Sequence, residues 1–175
     1  MSVNSIGYLH LGGNIRNIYI LLLLSLSYSA TLLVPSEYPT IQSAIDAASD
    51  GDEILVDDGT YVENLLIEKD LILRSVNGAG STIIDGGQGR ELGSTVVIRP
   101  ESGSPDKPIV EMDGFGITGG KGTDIVNKTI TLPDNTHPIE KVGGGIFVYV
   151  NSPKINNCEI IGNGSLDVNK GGGIF

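Results

Sequence analysis

Carboxylates carry most of the chemistry this sequence could do. Asp57, Asp58 and Glu63 fall in one turn region, and Glu111 and Asp113 are two residues apart, hence on one face of a strand. Clustered hard oxygens are what a calcium ion takes, and calcium is the cofactor that would suit these side chains. The turn reading competes and is preferred: Asp58-Gly59, Asp85-Gly86 and Asp113-Gly114 are turn dipeptides first. The expectation is therefore no catalytic residue, no metal site and no resident cofactor, with the carbohydrate-binding residues unassigned. His10 and His137 cannot build a histidine-based metal cluster. Cys158 is the single cysteine, so no internal disulfide forms, and no basic partner is evident to activate it. It reads as a small buried hydrophobe in a strand. Gly143-Gly144-Gly145 lacks the Lys-Ser/Thr and the helix of a phosphate loop, and reads as a sharp turn into a strand Ile146 to Val150. Asn127-Lys-Thr129 and Asn163-Gly-Ser165 fit the glycan-acceptor pattern; without that machinery they are polar surface loops.

Charge narrows the partners. The chain of 175 residues carries 21 acidic and 11 basic side chains, net −10. That disfavours nucleic acid and anionic lipid, and it makes a polyanionic substrate awkward. Trp is absent and aromatics are 5%, so material for sugar-stacking platforms is scarce. The 25 glycines among many Ile, Val and Leu suit short strands and tight turns.

Taken in order, residues 18–26 are an apolar run preceded by Arg16 and followed by Ser27 and Ser29 at small-x-small spacing. This reads as a secretory signal peptide over residues 1–29, too short to span a bilayer. Arg16 is its one charged residue, so its removal leaves ten basic against 21 acidic side chains, net −11. Residues 30–175 form the remaining domain, with no membrane span expected. Ala30 to Val34 reads as a first strand. Ile41, Ala44, Ile45 and Ala48 then fall at helical spacing, capped by Thr40 and ended by Asp50-Gly51-Asp52. From Asp52 the pattern turns to β: Ile54/Val56, Leu65/Ile67, Leu71/Leu73, Ile83-Ile84 and Val96/Ile98, separated by Gly, Asn and Asp.

Gly143-Gly144-Gly145-Ile146-Phe147 returns as Gly171-Gly172-Gly173-Ile174-Phe175, a spacing of 28 residues. A fixed period of this size marks a solenoid. The second copy coincides with the end of the sequence, which reads as a longer protein stopping in mid-repeat. Asp113-Gly-Phe-Gly-Ile-Thr-Gly-Gly and Asn157-Cys-Glu-Ile-Ile-Gly-Asn-Gly look like one repeat position seen twice, with Phe115 on Cys158, Ile117 on Ile160 and Gly119 on Gly162. The surplus is placed in a projecting loop, Lys121 to Val142, with a short strand at Lys128 to Leu132. Glu101 to Pro108 is a second exposed loop. The stack has no cover at its far end, so its open edge is expected to self-associate.

The string Tyr38-Pro-Thr-Ile-Gln-Ser-Ala-Ile-Asp-Ala-Ala, then Gly-Asp-Glu-Ile-Leu-Val, Gly59-Thr60-Tyr61-x-Glu63-Asn64 and Leu-Ile-Leu-Arg-Ser, resembles the entry to right-handed parallel β-helices of the pectin lyase-like superfamily. The later glycine-rich repeats resemble those of bacterial surface and secreted β-helix proteins, including polymorphic outer-membrane proteins. The resemblance implies an all-β fold, a right-handed parallel β-helix (β-solenoid) with an N-terminal capping α-helix that plugs one end. The entry also resembles pectin methylesterases, but the sequence after Gly87 departs from their pattern and no catalytic residue carries over. Fold does not fix function. The expectation is an exported module of a secreted or cell-surface protein, structural or binding, its partners a polysaccharide or cell-surface glycan and the remainder of its own β-helix. The alternative is the N-terminal part of a polysaccharide lyase, esterase or glycoside hydrolase whose active site lies beyond residue 175.

Overall fold

The computed structural model describes residues 29–87, 93–126, 139–149, 152–164, 168–170 and 173–174. The signal segment, apart from Ser29, and the strand expected at Lys128 to Leu132 lie outside the described residues. What is described is mostly strand. In chain order the elements are β1 (Thr31–Val34), α1 (Ile41–Ala47), β2 (Asp52–Val56), β3 (Gly59–Tyr61), β4 (Leu65–Ile67), β5 (Leu71–Ser75), β6 (Thr82–Asp85), β7 (Val96–Ile98), β8 (Val110–Asp113), β9 (Gly116–Thr118), β10 (Thr123–Val126), β11 (Ile139–Val142), β12 (Ile146–Val148), β13 (Lys154–Asn156), β14 (Glu159–Ile160) and β15 (Val168–Lys170).

Helix α1 forms where the sequence placed it, for the expected reason. The Thr40 side chain accepts from the Ser43 amide, and the Ser43 side chain returns to the Thr40 amide. This reciprocal box satisfies donors that a helix start leaves orphaned. Ile41, Ala44 and Ile45 are buried, and with Ala48 they belong to the same apolar cluster as the strands.

Three sheets are wholly parallel, with strand orders β1-β2-β5-β8-β13, β3-β6-β9-β14 and β4-β7-β12. From β2 onward the chain visits them in rotation: β2, β3, β4, then β5, β6, β7, then β8, β9. Parallel neighbours cannot be joined by a tight hairpin, and here the other two sheets lie on the path between them. Alternation decides what points inward. Along β5 the residues Leu71, Leu73 and Ser75 are buried while Ile72 and Arg74 are not. Register then stacks like on like: Leu32, Ile54, Leu73, Met112 and Ile155 form one column. Leu65, Val96 and Ile146 form another, and Tyr61, Ile84, Ile117 and Ile160 a third. Each fully buried Leu, Ile or Val contributes about 1.5–3 kcal/mol relative to exposure.

The aligned repeat is real in space. Ile160 sits on Ile117, and the Gly119 amide donates to Gly162 O at 3.4 Å. The 28-residue spacing is also real, because Ile146 and Ile174 form a parallel bridge. The glycines that carry that repeat have a packing reason. A Cβ on Gly145 would lie 2.7 Å from Gly173 O, so successive backbones approach too closely for any side chain. Gly143, at φ 57°, makes the turn into β12 as expected; the described strand there is Ile146–Val148.

One expectation needs correction. The segment Lys121 to Val142, expected as a projecting loop with one short strand, carries strands at both its ends: β10 and β11 pair antiparallel, Thr123 on Val142 through Val126 on Ile139, and β15 joins β11 in parallel. This fourth sheet starts near the corner of β7, where Ser94 Oγ meets Thr123 Oγ1 at 2.6 Å and donates to Gly143 O.

Candidate functional site

The acidic residues flagged by spacing do not converge. Glu63 points away from Asp57 and Asp58 to the start of α1, where its two oxygens accept the Ile41 and Gln42 amides at 2.9 Å each. A carboxylate there meets both the free amides and the positive end of the helix dipole. Asp58 accepts from Asn77 Nδ2 at 3.0 Å, while the Asp57 carbonyl takes the Tyr61 hydroxyl at 3.1 Å. Burial pushes the Tyr61 phenol up from its ordinary value, and the charges of Asp57, Glu63 and Asp58 add to it. Glu111 and Asp113 do share the outward face of β8. Glu111 faces Arg74 at 3.8 Å, Lys154 at 4.0 Å and Asn156 at 3.3 Å; Asp113 accepts from Asn157 at 2.7 Å. These contacts tie β5, β8 and β13 together across the sheet. Among the described residues no group of three His, Cys, Asp or Glu side chains is placed to hold a metal ion.

Other polar side chains that sequence reasoning missed anchor α1. Lys69 donates to the Asp46 and Ala48 carbonyls at 3.3 and 2.8 Å, closing the end of the helix opposite Glu63. The Gln42 amide copies a strand: its Oε1 accepts the Leu66 amide at 2.8 Å and its Nε2 donates to Leu66 O at 3.2 Å. It therefore occupies the outer edge of β4. No sequence signal marks these ties, since Leu66 lies 24 residues from Gln42 and the two carbonyls lie 23 and 21 residues from Lys69.

Cys158 is half-buried rather than buried, and lies between β13 and β14, not within a strand. Its Sγ accepts the Phe115 amide at 3.5 Å. Burial pushes the thiol up; the Phe115 and Gly114 amides pull the other way, and Asp113 adds to the rise. Such a thiol is poorly nucleophilic at neutral pH. Asn163, the described acceptor candidate, has its side chain committed: Nδ2 donates to the Ile117 and Ile161 carbonyls at 2.8 and 3.1 Å, and Oδ1 accepts the Gly120 amide at 3.0 Å. Asn127 lies outside the described residues.

Two clefts flank the exposed loop 100–107 on the outer side of β4, β7 and β12. The first, about 1030 Å³, runs between that loop and α1. Its acids are mostly in structural use: Asp50 accepts the Asp70 amide, Asp70 accepts the Ile109 amide, and Glu68 pairs with Arg99 at 2.9 Å. The second, about 580 Å³, lies between the loop and the start of β10, with Arg99, Lys107, Asp124, Phe147 and Tyr149 in its walls. Phe147 points outward from β12, yet it is covered; with Val97 and Leu66, its register neighbours, it makes a small apolar cluster on this outer face. Tyr149 is 57% exposed at the mouth.

No family model matches the chain. Over 103 residues it is 37% identical to a protein named cell surface glycoprotein from Methanothermus fervidus. The match covers 57% of this chain and 15% of that protein, so the chain spans only a small part of the relative's length. Among the described residues no helix is long and apolar enough to cross a membrane.

Proposed function

We propose that the chain is an exported, cell-surface module of the right-handed parallel β-helix type, related in form to the pectin lyase-like superfamily, with a structural and glycan-binding role. The observation that carries the form is the rotation of strands through three parallel sheets, with like residues stacked in register. The surface location is supported by the similarity to a cell surface glycoprotein and by the signal-like segment at residues 1–29. The acids that spacing singled out hold helix and strands in place, which favours a scaffold. The binding face is the cleft beneath Tyr149: an exposed ring beside Arg99, Lys107 and Asp124 offers a stacking plane and polar groups for sugar hydroxyls.

Two experiments test this. In the native cell the protein is accessible to an impermeant biotin reagent, and confinement to the cytoplasmic fraction refutes the surface reading. On a glycan array the protein retains neutral oligosaccharides and Tyr149→Ala loses them. An array with no retained glycan, or full retention by Tyr149→Ala, refutes the binding face.

A further inference from the structure

The sequence holds two Asn-Gly pairs, Asn77-Gly78 and Asn163-Gly164. This dipeptide has a chemistry of its own. With no side chain on glycine to shield it, the glycine nitrogen can reach the preceding Asn Cγ. A new N–Cγ bond closes a succinimide ring as the Cγ–Nδ2 bond breaks, and the glycine amide proton leaves, by way of solvent, with the released ammonia. Water then opens the ring at either carbonyl, giving aspartate or isoaspartate. Water is the only co-reactant, and the net change is amide plus water to carboxylate plus ammonium. By sequence the two pairs are equivalent, yet the fold treats them differently.

Asn163 is held on every side. Its Nδ2 donates to the Ile117 and Ile161 carbonyls, its Oδ1 accepts the Gly120 amide, and Thr95 Oγ1 lies 3.4 Å from that same oxygen. The Gly164 amide, which would have to attack, donates to Gly120 O at 2.6 Å. Ring closure there breaks the whole set. Asn77 stands exposed at the corner between β5 and β6. Its side chain makes one hydrogen bond, from Nδ2 to Oδ1 of the equally exposed Asp58 at 3.0 Å. The Gly78 amide donates to a hydroxyl, Ser75 Oγ, at 3.0 Å. A solvated contact of this kind trades for water at little net cost, so far less opposes the ring at Asn77 than at Asn163.

We propose that Asn77 is a modification site, deamidated through a succinimide with Gly78, and that the fold spares Asn163. The product bears on the corner it forms in. A carboxylate replaces the amide that faces Asp58, so a hydrogen bond becomes like-charge repulsion. The isoaspartyl form also adds a methylene to the main chain immediately before Gly78. That residue has no slack: Gly78 O accepts the Ser81 and Thr82 amides at 3.0 and 3.1 Å, and Gly78 Cα lies 3.3 Å from where a Cβ on Gly114 would sit. The modification therefore loosens the entry to β6.

Peptide mapping by mass spectrometry of the full chain, aged in mildly alkaline buffer, tests this, with isoaspartate scored apart from aspartate. In the folded protein Asn77 should convert at least about tenfold faster than Asn163, the factor that about 1.4 kcal/mol of barrier makes. In guanidinium chloride, where the fold's hydrogen bonds are gone, the two sites should convert at similar rates. Equal rates in the folded protein, or faster conversion at Asn163, overturn the proposal. So does an Asn163 that stays slow in denaturant, since its resistance then owes nothing to the fold. Hydrogen exchange on the aged protein reads the consequence: the Ser81 and Thr82 amides should lose protection, and unchanged protection overturns the loosened corner.

Discussion

Replacing Glu63 isolates the tie between the helix and the strands. Its carboxylate accepts two amides of the first helical turn at 2.9 Å, from a position between β3 and β4. Hydrogen bonds to a charged group contribute about 1.5–3 kcal/mol each, and the truncated site partly regains water, so Glu63→Ala should cost about 2–4 kcal/mol. Glu63→Gln keeps one acceptor and sets an NH₂ against the other amide, losing about 1–2 kcal/mol with the dipole interaction included. Thr40→Ala, which removes the local cap alone, should cost about 1 kcal/mol. The assay is equilibrium denaturation in urea, reading the shift in midpoint at constant slope. A helix that has left the stack would also uncover Ile41, Ala44 and Ile45, so Glu63→Ala should bind a hydrophobic dye before the main transition. Glu63→Ala within about 0.5 kcal/mol of the unaltered protein, the range of an ordinary surface change, would refute the assignment.

Further outcomes follow from the same contacts. Gly86→Ala places a Cβ 2.6 Å from Thr95 Oγ1 and 3.0 Å from Thr95 Cα, and thermal melts should show a loss of about 1–3 kcal/mol, as overpacking does. Asn163→Ala leaves the Gly120 amide and two carbonyls without their partner, costing about 1–3 kcal/mol; mass spectrometry of protein from a glycosylating host should find Asn163 unmodified. Cys158 and Tyr61 both have raised folded values, so each favours the folded state fully below its ordinary value, 9.0 and 10.0, and that contribution is lost as pH rises through the folded value. Stability should therefore fall above about pH 9, and Cys158→Ala should remove the lower part of that fall.

Much of the architecture was legible because its causes are local. Thr40 with the Ile41/Ala44/Ile45/Ala48 spacing announces a capped helix, and alternation at Leu71/Leu73 announces an inward face. The pairing of Ile117 with Ile160 was readable because both copies keep the same Ile and Gly at the same offset. The hairpin β10–β11 was not, since its strands carry no period that a loop would lack. The role of Glu63 was not legible for a different reason. A carboxylate near Asp57 and Asp58 in sequence looks like a third ligand, but it turns toward amides more than twenty residues upstream. Asp85-Gly86 is the turn expected, with Asp85 Oδ1 accepting the Gly87 amide at 2.8 Å, but the glycine there also answers to Thr95 and Asn64 pressing on it from the neighbouring strand and corner. Such long-range contacts leave no mark on spacing.

Register across the five-stranded sheet offers the sharpest check. Ile72 and Glu111 are neighbours on its outward face, whereas Glu53 and Lys154 share that row with two strands between them. In a Cys158→Ala background, cysteines at Ile72 and Glu111 should be joined rapidly by a short thiol crosslinker, and cysteines at Glu53 and Lys154 should not be joined within one chain. Equal crosslinking of both pairs, or of the distant pair alone, would contradict a stack of parallel strands in this order.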